Sequence, residues 1–212
     1  MSYGFLDIAM TPSVKAAQVA NGSAQAYANF RGHRAFDHFT AGEQAFIAAR
    51  DSFYMATVSE TGWPYVQHRG GPLGFLRILD DRTLACADFR GNRQYISVGN
   101  LSADDRACLF LMDYPNRQRL KVYAQVELRS LQERPDLVEK LAMPGYKAKV
   151  ERAMIFHLQT FDWNCPQHIT PRFSESELAE TLASVRSRIV ALEMENTQLK
   201  EQLGLKGSTD PD

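Results

Sequence analysis

The fold of this chain is decided by residues 53–69, which read FYMATVSETGWPYVQHR. Two extended runs flank the turn at Glu60-Thr61-Gly62, a pattern typical of a β-hairpin. Similar extended runs follow at residues 75–79, 83–87, 107–112, 120–128 and 153–158. Six or seven strands joined mostly by hairpins, with few helices between them, predict an antiparallel sheet closed into a small barrel.

Helices are predicted around this sheet. Thr11-Pro12 opens a capped helix near the N-terminus, and residues 40–43 (TAGE) form a capping-box pattern that opens a second helix to about residue 50. Residues 92–101 and 135–141 predict two further short helices. The predicted fold class is therefore mainly β with flanking helices.

Composition and charge restrict the possible functions. The chain has 212 residues, of which 44% are hydrophobic and 23% charged, and this balance predicts a folded core. The net charge of −1 argues against a partner that is a nucleic acid or an anionic membrane. Residues 174–212 hold four basic and eight acidic residues, so residues 1–173 carry a net charge of +3. An anionic ligand is therefore expected in the body and not in the C-terminal tail.

Cysteine usage and hydropathy suggest a compartment. No apolar run approaches the roughly 18 residues of a membrane span, and residues 1–10 do not resemble a signal peptide. The three cysteines, Cys86, Cys108 and Cys165, are widely spaced and fit a reducing compartment, so we expect a cytoplasmic protein. Cys165 and His168 supply at most half of a zinc site, and no metal is expected.

The C-terminal region has a different pattern. After a capping box at Ser174, eight side chains follow in strict 4-3 spacing: Leu178, Leu182, Val185, Ile189, Leu192, Asn196, Leu199 and Leu203. This spacing predicts a short coiled coil, since a helix packed on its own barrel more often shows a broader stripe without a polar residue. Asn196 at an a position, with leucine at neighbouring d positions, favours a parallel pair. We divide the chain into an N-terminal helical extension (1–39), a barrel domain (40–173), a coiled-coil helix (174–204) and a flexible tail (205–212).

Residues 87–94 (ADFRGNRQ) carry the strongest chemical signal. A strand ends here, Gly91 permits a tight turn, and a helix is predicted to start near Asn92. Helix starts expose unpaired N–H groups and the positive end of a dipole, which suit a phosphate group. Arg93 adds a forked, permanently charged donor. A solvated turn without a ligand is the alternative interpretation.

A second polar segment lies at residues 67–71 (QHRGG). A barrel strand should alternate between its faces, yet three polar side chains are consecutive here. One face is therefore expected to meet a ligand or another subunit, and the two glycines would allow a ligand to approach the backbone. Arg117, Arg119 and Lys121 form a third basic group, for which an exposed strand edge is the alternative.

In this order, the three segments resemble the flavin-binding split barrels of the pyridoxamine 5'-phosphate oxidase family. The resemblance covers roughly residues 46–130 and is most specific at Gly62-x-Pro64 and at residues 88–94, with Asp105-Arg106-Ala107 following. It implies a homodimer of six-stranded antiparallel barrels that binds FMN at the subunit interface.

The resemblance also implies which residues bind FMN. They are Gln67, His68, Arg69 and Gly70 on one strand, Ala87 and Asp88 at the next strand end, Asn92, Arg93 and Gln94 on the phosphate-holding turn, Arg119 from the second subunit, and, less specifically, Trp163, Asn164, Gln167 and His168. The true oxidases have an arginine where this chain has Gln67 and a substrate-binding lysine where it has Pro72. The resemblance therefore implies FMN binding more strongly than oxidation of pyridoxamine phosphate.

Three functions are compatible with these features. The leading hypothesis is an FMN-dependent oxidoreductase that passes electrons between a small organic substrate and the flavin. No residue stands out as catalytic, because a flavin supplies the redox step itself. The second hypothesis is a non-catalytic protein that binds flavin or haem for storage or sensing, and the third is a dimeric adaptor whose function lies in the coiled coil.

Overall fold

The computed structural model describes residues 4–28, 37–163 and 166–204, except the side chains at positions 180 and 181. The predicted tail at 205–212 and two candidate residues, Asn164 and Cys165, therefore lie outside the described residues. The chain divides into two compact units, Met1–Ile169 and Thr170–Asp212.

Seven strands form one antiparallel sheet in the first unit. They are β1 (Ser52–Val58), β2 (Pro64–Gly70), β3 (Arg77–Asp80), β4 (Thr83–Phe89), β5 (Arg106–Asp113), β6 (Gln118–Arg129) and β7 (Val150–Trp163). Their order in the sheet is β2-β1-β5-β6-β7-β4-β3. The predicted fold class is confirmed, with one strand more than the six that the resemblance implied.

Helices flank this sheet. Those predicted from the sequence are α2 (Pro12–Ala20), α4 (Ala41–Ala48), α5 (Ile96–Ala103) and α6 (Pro135–Lys140). The short helices α1 (Phe5–Ala9) and α3 (Ala24–Tyr27) were not predicted individually. The start of α2 is capped by Thr11, whose hydroxyl accepts the N–H of Val14, and α4 begins with the capping box of Thr40 and Glu43. These caps bind N–H groups that a helix start leaves unpaired.

Two element boundaries differ from the prediction. The helix expected from Asn92 begins only at Ile96, because Arg93 and Tyr95 have left-handed backbone angles (φ 63° and 53°) that interrupt a helix. The last strand, β7, is also longer than the predicted extended run at residues 153–158. Residues 161–163 extend β7, because they pair with β6 over residues 120–122.

The ends of the strand order come together. β2 and β4 are the first and sixth strands, yet Arg69 on β2 and Asp88 on β4 form an ion pair with 2.5 Å between Nη1 and Oδ1. In the core, the ring of Phe53 on β1 packs edge-on against Phe156 on β7, with centroids 5.9 Å apart. The sheet therefore curls until its two ends meet, as in a barrel.

The second unit contains one helix, α7 (Glu175–Gln202), of 28 residues. It begins with the predicted capping box, in which the Ser174 hydroxyl accepts the N–H of Glu177 and the Glu177 carboxylate accepts the N–H of Ser174. All side chains of α7 that the structure describes are exposed. Neither this helix nor any other in the described ranges is long and apolar enough to cross a membrane.

Candidate cofactor site

The polar side chains of β2 point to opposite faces of the sheet. Gln67 and Arg69 lie opposite two buried core residues of β1, so their side chains are on the inner face. His68 lies opposite Tyr54 on the outer face, and their ring centroids are 5.5 Å apart. The three consecutive polar residues therefore divide between two environments, and only Gln67 and Arg69 face the interior.

A buried carboxylate lies between two arginines at the end of β4. Asp88 is 6% exposed, accepts a hydrogen bond from Arg69, and has its second oxygen 3.3 Å from Nε of Arg152. Arg152 is the cross-strand neighbour of Asp88 on β7. The cluster has a net charge of +1. Within the described residues, the buried Nε of Arg69 has no hydrogen-bond partner, which is unusual for a buried donor.

Tyr95 connects this cluster to the preceding loop. The guanidinium of Arg152 lies 5.2 Å from the centre of the Tyr95 ring, and the Tyr95 hydroxyl donates to Glu151 at 3.1 Å. Arg90 Nε donates to the same carboxylate at 2.8 Å. Hydrogen bonds from Arg90 and then Tyr95 hold the pKa of Glu151 below its usual value. These contacts fix both ends of the loop that carries residues 91–94.

The loop itself is exposed and has an unusual backbone. Asn92 accepts the N–H of Gln94 with its side-chain oxygen at 3.1 Å, which closes a tight turn. Arg93 at the centre of this turn has a left-handed backbone, which costs a residue with a side chain about 1–2 kcal/mol. Such strain persists only where the surroundings impose it, and it is often found at ligand sites.

Helix α5 joins the loop to β1 and β2. Ser97 in its first turn donates to the side-chain oxygen of Gln67 at 2.8 Å. One turn later, Asn100 donates to the buried hydroxyl of Thr57 at 3.0 Å. The structure therefore brings together Gln67, Arg69, Asp88 and the turn at residues 92–94.

The two glycines of the β2 segment are packed closely by the protein's own side chains. A Cβ atom at Gly71 would lie 2.8 Å from the ring of Phe75, and one at Gly70 would lie 3.1 Å from the ring of His68. These contacts account for the two glycines, and the approach of a ligand to the backbone of Gly70 stays a prediction. Gly71 is required for packing against Phe75.

The other candidate residues lie apart from this cluster. Ala87 is buried in a second apolar cluster with α6, and the Arg119 guanidinium lies over the Phe110 ring at 5.8 Å. Gln167 and His168 are exposed in a turn. Their roles in cofactor binding stay predictions.

The side chain of Trp163 contacts α4. Its indole N–H donates to Glu43 at 2.7 Å, and its ring packs edge-on against Phe46. Burial would raise the pKa of Glu43, but hydrogen bonds from Thr40 and Trp163 bring it below its usual value. The ionised Glu43 thus links the end of β7 to the start of α4, and this structural role was not visible in the sequence.

Sequence patterns did not indicate three further residues of the candidate site: Arg152, Tyr95 and Glu151. Arg152 and Glu151 lie about 60 positions after the loop, and only the pairing of β4 with β7 brings them to it. The thiol of Cys86 on β4 is not available as a nucleophile at the candidate site, because burial raises its pKa to about 12.

Residues 39–161 match the sequence model of the pyridoxamine 5'-phosphate oxidase family, which is more than half of the chain. The chain belongs to this family. The match spans all seven strands of the sheet except the last two residues of β7, and it includes every residue of the ion-pair cluster. No curated protein matches the sequence.

The chain is also similar to solved structures, of which three are described below by their names, sequence identity and coverage. An FMN-binding protein from Syntrophomonas wolfei is 17% identical, with a TM-score of 0.45, over 57% of this chain and 83% of that one. A Clostridium acetobutylicum protein related to general stress protein 26, of the pyridoxinephosphate oxidase family, is 15% identical, with a TM-score of 0.45, over 64% of this chain and 94% of that one. HupZ of Group A Streptococcus is 13% identical, with a TM-score of 0.45, over 64% of this chain and 100% of that one.

Proposed function

We propose that this protein binds FMN at a homodimer interface and transfers electrons between the flavin and a small organic substrate. The observation that carries the proposal is the positive end of the barrel, where Arg69 and Arg152 share one carboxylate, Asp88. With the exposed Arg93 of the adjoining turn, this end has a net charge of +2, which a phosphate dianion would balance. The Nε of Arg69, which has no hydrogen-bond partner in the part of the chain that the structure describes, also fits a ligand that brings acceptors.

Each part of the site would have a distinct task. Arg93 and the turn at residues 92–94 would bind the phosphate, since cations and turn N–H groups suit anions. Asp88 would hold Arg69 in position, so that its guanidinium needs no reorganisation when the flavin acquires charge. Bound FMN supplies the redox chemistry.

The outer face of the sheet supports the homodimer. Tyr54, Val58 and Val66 are 39%, 43% and 61% exposed on adjacent positions of β1 and β2. Contiguous exposed apolar surface of this kind marks an interaction site. Arg119 lies on the same face, because it is two positions before Lys121, which pairs with Phe110, and Phe110 pairs with Tyr54. It would therefore be able to reach the cofactor of a second subunit, as the resemblance implies.

A non-catalytic flavin-binding or haem-binding protein is the second candidate. Binding without turnover needs no acid or nucleophile, and among the described residues Asp88 and Glu151 are engaged by arginines while burial raises the pKa of the Cys86 thiol to about 12. Cys86 and Cys108 are free thiols, which supports the further proposal of a cytoplasmic location.

The test uses the purified full chain with added FMN. We expect a visible flavin absorption band to co-elute with the protein, and we expect NAD(P)H or another organic donor to bleach it without oxygen present. A band that no donor bleaches would support the binding protein. A chain that takes up neither FMN nor haem at micromolar concentration would overturn both.

The dimer is tested by a charge on the outer face. Val66→Asp should shift the protein towards monomer in sedimentation and weaken FMN binding, because the carboxylate would be buried unpaired. Val138→Asp on α6, at a position that is 50% exposed, is the matched control and should change neither quantity. Equal behaviour of the two variants would contradict an interface at Val66.

A further inference from the structure

The apolar stripe of α7 is exposed along the whole helix. Its side chains at Leu178, Leu182, Val185, Ile189, Leu192, Leu199 and Leu203 are between 42% and 71% exposed. The helix is about 42 Å long at 1.5 Å per residue. Helices in proteins gain most of their stability from packing of an apolar face, and this face has no such packing against the residues described in its own unit, 170–204.

The charges beside the stripe have no partners in their own helix. In the heptad numbering that puts Asn196 at a, Arg186, Glu193 and Lys200 occupy e positions, and Arg188 and Glu195 occupy g positions. None of the five has an opposite charge three or four residues away, which is the spacing that pairs side chains on one helix. Their pattern therefore serves contacts with another helix.

We propose that α7 forms a parallel, in-register coiled coil with α7 of a second copy of this chain. In that arrangement each g residue faces the e residue five positions later on the other helix. Arg188 then faces Glu193 of the partner subunit, and Glu195 faces Lys200 of the partner subunit. Twofold symmetry doubles both pairs, and every charged pair is attractive.

Asn196 decides the orientation. In the parallel pair the two copies of Asn196 lie in one layer and hydrogen-bond to each other. An antiparallel pair with fully overlapping stripes would also bring opposite charges together, since Arg188 of one helix would then face Glu195 of the other. It would, however, place Asn196 in a layer with Val185, where the amide has no polar partner.

Cysteine crosslinking of the full chain tests the arrangement. Val185→Cys and Leu199→Cys place thiols at d positions, and both should give disulfide-linked dimers under mild oxidation. Ser187→Cys at the outward f position is the matched control, and it should give no more crosslink than the wild-type chain with its own cysteines. Failure at both 185 and 199 would overturn the proposal, as would crosslinking only between Val185→Cys and Asn196→Cys chains in a mixture.

Charge reversal tests the pairing separately. Arg188→Glu should slow crosslinking of the Val185→Cys chain several-fold, because it puts like charges opposite each other. Adding Glu193→Arg should restore the rate, whereas adding Glu195→Arg should not. Restoration by Glu195→Arg instead would show the antiparallel pair and contradict the proposal. None of these readouts depends on FMN, so their failure is distinguishable from failure of the proposed function.

Discussion

The buried and exposed halves of the candidate site are built in opposite ways. In the buried half, Asp88 is enclosed by Arg69 and Arg152, and its charge is satisfied inside the fold. In the exposed half, Arg93 is held on a left-handed backbone at the surface. The first arrangement stabilises the barrel, whereas the second costs conformational free energy and leaves a cation at the surface. Changes in the two halves should therefore affect different quantities.

The largest expected effect is on stability, in the buried half. Asp88→Asn removes the charge shared by two arginines and should lower the free energy of unfolding by about 3–5 kcal/mol, as expected when one partner of a buried ion pair is lost. Urea denaturation measures this loss. Asp51→Asn is the matched control, because Asp51 is exposed and its carboxylate accepts, among the described residues, only from its neighbour Ser52. If both variants were equally stable, the buried half would have no structural role.

The next effect is on binding, in the exposed half. Arg93→Asn keeps a residue type that tolerates the left-handed backbone but removes the cation. FMN affinity should fall by about 1.5–3 kcal/mol, roughly ten- to a hundredfold in Kd, while the unfolding free energy stays unchanged.

A second arginine provides the control for this experiment. Arg117 is also exposed and also left-handed, with a φ of 54°, but it lies in the turn between β5 and β6. Arg117→Asn should leave FMN affinity unchanged. An equal loss in both variants would indicate a general effect of surface charge.

A smaller effect is expected where the halves meet. Ser97→Ala removes the hydrogen bond from α5 to Gln67 and should lower stability by about 1 kcal/mol, with a similar loss of FMN affinity. Ser102→Ala on the exposed side of the same helix is the control, since its hydroxyl bonds only to the helix backbone. A loss of stability with no loss of affinity would place Gln67 outside the cofactor site.

The smallest expected effect is on the pH dependence of stability at acidic pH. The pKa of Glu151 is lowered in the folded protein, mainly by Arg90, so its contribution to stability is present above the unfolded pKa of 4.5 and is lost as pH falls through the lower folded value. Glu151→Gln should therefore make unfolding less dependent on pH in the range below 4.5, as measured by thermal denaturation. An unchanged pH dependence would show that Arg90 and Tyr95 do not stabilise the ionised form.

Local signals in the sequence predicted parts of both halves of the candidate site, but not the contacts that the sheet makes between distant residues. The strand end at Asp88, the turn at Arg93 and the polar residues of β2 were all visible as patterns within a few residues. Arg152 was not visible, because it reaches Asp88 only through the pairing of β4 with β7. The late start of α5 was also missed, since the left-handed angle of Tyr95 depends on its contacts with Arg152 and Glu151.

The proposed function depends most on binding of the FMN phosphate at the barrel end around residues 88–94. The most direct test compares the affinities of the full chain for FMN and for riboflavin, which lacks only the phosphate. We predict that the wild-type chain prefers FMN by roughly tenfold or more and that Arg93→Asn reduces this preference. A wild-type chain that binds the two flavins equally well, or binds neither, would contradict the account.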